Sequence, residues 1–113
     1  MQVVRIYTGT DQQTHFQEVD LDTFTTIATN PGSGPIRLNH GAGSGLQEFH
    51  NAPRRQYVIV LSGGMEIETG LGEKRVLGTG DVLIAEDLTG KGHVTRSIGG
   101  DTRVTLSVPL AEV

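Results

Sequence analysis

Apolar and polar residues alternate along much of this chain, and the runs they form are short. Met65-Glu66-Ile67-Glu68-Thr69 alternates strictly, which predicts a strand with one face in a core and the other in water. Gln56-Tyr57-Val58-Ile59-Val60-Leu61 is almost wholly apolar, as expected of a strand buried on both faces. Val3 to Tyr7, Glu73 to Leu77, Asp81 to Ala85, His93 to Ile98 and Arg103 to Val108 supply five more strands. Phe16 to Val19, Phe24 to Ala28 and Ile36 to Asn39 are weaker strand candidates. No stretch sustains the helical apolar period of about 3.6 residues over the length of a long helix.

Turn residues separate these runs. Sixteen glycines and four prolines punctuate the chain. Asn30 to Pro35 and Gly41 to Gly45 read as loops, and Gly70-Leu71-Gly72 as the turn of a hairpin. About ten short strands without a helix predict an all-β sandwich or barrel. With 113 residues, the expectation is a single domain spanning 1–113 around one core.

Composition narrows the partners. Thirteen acidic against nine basic residues give a formal net charge of -4, which offers no footprint for nucleic-acid phosphates or an anionic membrane surface. No run approaches the roughly 20 apolar residues of a membrane span, and the first residues lack the pattern of a signal peptide. Cysteine is absent, which excludes a disulfide framework, a thiolate metal site and a cysteine nucleophile. A soluble, cytoplasmic protein is the expectation.

The candidate chemistry lies around two histidines. His50 and Gln56 share parity with Glu48, so an extended segment would point all three to one side, although Pro53 interrupts the register. His93 begins a later strand. A histidine, an amide and a second histidine from a facing strand would converge on one pocket. The charged, glycine-rich stretch Glu86-Asp87-Leu88-Thr89-Gly90-Lys91-Gly92 directly precedes His93. It reads either as a pocket lip, with Glu86 or Asp87 as acid or base and Lys91 holding an anion, or as a solvated turn. Of Arg54 and Arg55, strand parity allows one to face the pocket and bind a carboxylate, and the other to pair with Glu66 or Glu68. His15 and His40 read as surface or strand-edge residues, with His40 close to the pocket mouth. Tyr57 and the three phenylalanines read as core residues.

The stretch Gly43 to Ser97 resembles the two motifs of the cupin family. His50 matches the first histidine of the first motif, Gln56 stands where a glutamate belongs, and Gly63 follows seven residues later. Ala52 occupies the place of the second histidine. Gly80-Asp81 and His93 resemble the second motif, with Glu86 in place of a proline and Ser97 where asparagine is common. His50-Asn51-Ala52-Pro53-Arg54-Arg55-Gln56 and Ala85 to His93 are similar to a subgroup of small bacterial cupins. The resemblance implies a single-domain, jelly-roll β-barrel of cupin type. It also implies one divalent ion (Fe, Mn, Ni or Zn) on His50, Gln56 and His93, with water or Glu48 completing the shell, and no organic cofactor. The missing histidine and carboxylate weaken that metal set, because an amide oxygen is a poorer ligand for first-row metals. The alternative is that His50 and Gln56 simply hydrogen-bond each other.

Two functions follow from the resemblance. One is an enzyme of isomerase, lyase or cyclase type acting on a small polar or carboxylated molecule, with His50, His93 and Glu86 catalytic and Glu48, Arg55 and Lys91 holding substrate. Its oxygenase branch would require a redox-active metal. The other is a non-catalytic small-molecule binding module. A homodimer is also expected, with the edge of Val3 to Tyr7 as a pairing strand.

Overall fold

The computed structural model describes residues 1–26, 30–41, 48–98 and 102–111. Among them the chain forms β1 (Val3–Thr8), β2 (Thr14–Val19), α1 (Leu21–Thr26), β3 (Arg37–Gly41) and β4 (Gln56–Ser62). β5 (Gly64–Thr69), β6 (Lys74–Gly78), β7 (Val82–Glu86), β8 (His93–Ser97) and β9 (Arg103–Pro109) follow. Six strands form one sheet in the order β2-β1-β7-β4-β9-β3, and three form a second in the order β6-β5-β8. All described pairings are antiparallel except β1 with β7. The all-β expectation is met by two facing sheets, and among the described residues their strands are not joined into one closed barrel.

The core follows from parity. Val4 and Ile6 of β1, Leu83 and Ala85 of β7 and Val60 of β4 meet Met65, Ile67 and Leu77 of the small sheet. Met65, Ile67 and Thr69 are buried while Glu66 and Glu68 between them are half-buried, so the strict alternation of β5 is realised. Those two glutamates pair with Arg96 at 3.4 and 2.7 Å, not with Arg54 or Arg55, because Arg96 lies opposite Glu66 on β8. A smaller cluster covers the outer face of the large sheet: Val3, Val82, Ile84 and Leu110, with Val19, Phe24, Tyr57 and Ile59 packed against it.

Three expectations change. Phe24 was expected in a strand, but Leu21–Thr26 is a short helix, and positions 27 and 28 of that expectation lie outside the described residues. Asp20 starts the helix: its carboxylate accepts from the Thr23 amide at 3.3 Å, and its carbonyl from the Phe24 amide at 2.8 Å. Phe24 then meets Tyr57 edge-on at 5.6 Å. The apolar run of β4 has only Val60 fully buried, because its outer face is covered by little more than that small cluster. β1 is not an edge strand: it lies between β2 and β7, so its backbone is already paired on both sides and is unavailable to a second copy.

Ile67 is 0 % exposed and Leu61 45 %. Chemical denaturation of Ile67→Ala should therefore show a loss of about 3 kcal/mol, from lost transfer energy plus a cavity. Leu61→Ala should stay within about 0.5 kcal/mol of the parent.

Candidate functional site

His50 and His93 lie directly opposite each other. His50 donates its amide to the His93 carbonyl and His93 returns the bond, both at 2.9 Å, in an isolated antiparallel bridge. Two glycines and an asparagine make that approach feasible. Gly92 has φ +80°, and a Cβ there would lie 2.2 Å from the His50 carbonyl oxygen, so this position requires glycine. Gly90, at φ +78°, abuts the Gln12 carbonyl in the same way. The Asn51 amide donates to the carbonyls of Thr89 and Gly90 at 2.8 and 3.1 Å, and the Ala52 amide to that of Asp87 at 3.1 Å. The two sequence segments that flank His50 and His93 are thus clamped to each other through backbone groups and the Asn51 side chain.

The clamp leaves the rings in defined orientations. His93 Nδ1 lies 2.5 Å from Asp87 Oδ2, which also accepts from the Thr14 hydroxyl at 2.8 Å. Asp87 is 0 % exposed and His93 5 %. Where this carboxylate accepts from Nδ1, the neutral form of the ring carries its proton there and keeps the lone pair on Nε2. His50, more exposed, places Nδ1 at 3.1 Å from the Glu48 carbonyl, which again only accepts. In its neutral form, each ring with Nδ1 so engaged has Nε2 as its acceptor or ligand atom. Their centroids lie 4.7 Å apart.

The two rings open onto a cavity of about 370 Å³ between the sheets. Gln56 lines it, so the three residues expected to converge do share one cavity. Val58, Met65, Leu83 and Ala85 give it an apolar side. Polar residues also line it: Asn39 of β3, Thr95 of β8, and Arg103 and Thr105 of β9. Asn39 donates to the hydroxyls of Ser107 and Thr105 at 2.8 and 3.4 Å, which ties it to β9. Arg103 was not singled out by sequence reasoning. The usual rule would turn Val104, Leu106 and Val108 inward, yet Thr105, Ser107 and Pro109 are the buried residues of β9. A strand that buries its polar register is the signal that was available in the sequence, in Arg103-Val104-Thr105-Leu106-Ser107.

Other expected residues lie elsewhere. Glu86 points to the outer face of the large sheet, where Arg5 and Arg55 each hold one of its carboxylate oxygens at 2.5 Å. The alternation of β7 explains the separation, since Ala85 faces the histidine cavity and Glu86 faces away. Arg55 also donates to the Ala111 carbonyl. Neither arginine of the pair lines the histidine cavity; both border a surface hollow beside Leu110. Lys91 is exposed and sits 4.7 Å over the ring of Phe49, which is itself 39 % exposed and not a core residue. The Glu48 side chain is exposed and does not line the cavity; its contribution is the carbonyl under His50. His15 pairs with Asp11 at 2.9 Å near the surface. His40 lies on the exposed edge strand β3, where with Asn39, Gly41 and Arg103 it borders a small hollow beside the cavity.

As a metal site the residues fit in part. Two imidazoles with Nδ1 anchored on oxygen are arranged as metal-binding histidines usually are, and Asp87 occupies the supporting position behind one of them. Among the described residues no group of three or more His, Cys, Asp or Glu side chains converges, so a third donor in this cavity would have to be the neutral Gln56 amide.

Two predictions follow from this geometry. Gly92→Ala should lower stability by about 2 kcal/mol or more and weaken amide protection at positions 50 and 93, measured by denaturation and hydrogen exchange. For Glu86, burial raises the carboxyl pKa, but hydrogen bonds and charge from Arg5 and Arg55 outweigh it and leave it below the usual 4.5. A depressed folded value means stability that is present above the ordinary glutamate range and lost as pH falls through it and below. Thermal melts should therefore show Glu86→Gln less stable than the parent at pH 7 and closer to it near pH 3.

Comparisons with protein families, with curated proteins and with solved structures return no match.

Proposed function

We propose that this chain is a small cupin-type domain that binds a small polar molecule between its sheets and rearranges it by acid–base chemistry, of isomerase, lyase or cyclase type. The observation that carries this reading is His93, which lines the shared cavity and whose Nδ1 lies 2.5 Å from a fully buried carboxylate. A base held in one tautomer by a carboxylate is what proton abstraction requires, because the carboxylate also stabilises the imidazolium that forms. His93 Nε2 takes a proton from one position of the substrate and returns it at a neighbouring one. His50, at the open side, and the Gln56 amide hold the substrate's polar groups. Glu86, drawn off by two arginines, has no part in this chemistry.

A second reading is favoured by the matched Nδ1 anchoring of both rings. His50, Gln56 and His93 would then hold a divalent ion, which when bound would polarise a substrate oxygen. Under either reading the histidines act through Nε2.

Small hydroxy and keto compounds should be screened in D₂O by ¹H NMR, since proton abstraction exchanges a substrate hydrogen whatever the product. Wild-type protein should catalyse exchange with at least one compound, and His93→Ala should abolish it. Asp87→Asn should lower kcat by about a hundredfold or more and alter the pH profile. Binding without exchange for every compound would leave a non-catalytic binding module. Elemental analysis of protein purified without chelators or a His-tag tests the metal: the His50→Ala, His93→Ala double variant should lose the ion, and unchanged content would contradict the ligand set.

A further inference from the structure

Among the described residues, Arg103 is a cation with no counter-charge lining its cavity. It extends from the first residue of β9 and lines the same cavity as His50, Gln56 and His93. Its Nη1 is buried and has no hydrogen-bond partner among the described residues. Among the described residues no aspartate or glutamate lines the cavity; Asp87 lies behind His93 and is engaged by it and by Thr14. The other arginines with named partners differ in kind. Arg5 and Arg55 share Glu86, Arg75 pairs with Glu18, and Arg96 with Glu66 and Glu68.

A buried, unpartnered guanidinium donor costs stability, because water has been removed and nothing replaces it. Burial also pushes the Arg103 pKa down from its usual value, although a guanidinium remains charged at neutral pH. Such a group persists where a ligand supplies the missing acceptor. The guanidinium fork matches a carboxylate with two parallel hydrogen bonds. On the neighbouring strand Asn39 is tied to Thr105 and Ser107, so the wall around Arg103 is fixed in advance.

We infer that Arg103 is the anchor for a carboxylate group of the ligand, making the cavity selective for small carboxylic acids. The inference rests on the reading of the cavity as a small-molecule site and names the substrate class that site accepts. The carboxylate sits against Arg103 at the β3–β9 side, and the rest of the molecule extends past the apolar patch of Val58, Met65 and Leu83 toward the histidines.

Lactate and lactamide, which differ in charge but little in shape, are suitable probes. Both are titrated into ¹⁵N-labelled protein, and shifts are followed at Gln56, His93 and Thr105. Lactate should bind about tenfold or more tightly than lactamide, and Arg103→Gln should remove that difference while Arg103→Lys keeps part of it. Stability gives an independent readout. Arg103→Met should melt at or above the wild-type temperature, since it removes an uncompensated buried donor, and lactate should raise the melting temperature of the wild type alone. Equal binding of acid and amide, or an unchanged lactate affinity in Arg103→Gln, would overturn the anchor and leave the histidine reading standing. Lactate binding that needs Arg103 but is indifferent to His50→Ala and His93→Ala would keep the anchor and overturn the histidine reading.

Discussion

The site depends on one backbone contact, the reciprocal pair of hydrogen bonds between His50 and His93. It joins the stretch that leads into β4 to the first residue of β8, and so holds the approach to β4 against the small sheet. Everything else in the cavity is arranged around it. Gly92 gives the room, Asn51 ties the returning turn, and the Ala52 amide holds the carbonyl of Asp87. Asp87 in turn orients His93. A histidine whose partner, tautomer and backbone are all fixed is prepared for ligand or proton transfer before anything binds, which reduces the reorganisation needed at the moment of reaction.

The two sheets divide the labour. Val4, Ile6, Val60, Met65, Ile67 and Leu77 make a core that stabilises the fold without reference to the site. At the other end of the same inter-sheet space the core gives way to Asn39, Arg103 and Thr105, and the polar wall so formed costs stability that the apolar end must offset. The outer face of the large sheet holds a separate charged group, Arg5–Glu86–Arg55, whose components satisfy one another and link β1, β7 and the start of β4. Its charges are paired, whereas Nη1 of Arg103 has no partner among the described residues.

Much of this was legible in the sequence. Strand positions followed from alternation and glycine-rich turns, and β5 behaved as its period of two requires. His50, Gln56 and His93 do line one cavity. Failures have physical causes. Leu21–Thr26 became a helix because Asp20 caps it, a local signal that outweighed its threonines and phenylalanine. Glu86 stood beside the right residues in sequence but on the wrong face of β7, since adjacent strand residues point apart. Lys91 and the Glu48 side chain lie near the histidines in sequence and outside the cavity. Arg103 was overlooked because it belongs to a strand whose polar register turns inward, contrary to the rule used to orient strands.

The central claim is that both histidines are held with Nδ1 protonated and Nε2 free toward the cavity. Long-range ¹H–¹⁵N NMR of histidine-labelled protein at about pH 8.5, above the ordinary histidine range, reads the tautomers directly. The account predicts the Nδ1–H form for His50 and His93, with Nε2 resonances that move when a ligand or divalent ion is added. Nε2–H tautomers in either ring, or Nε2 signals indifferent to every added ligand and metal, would contradict it.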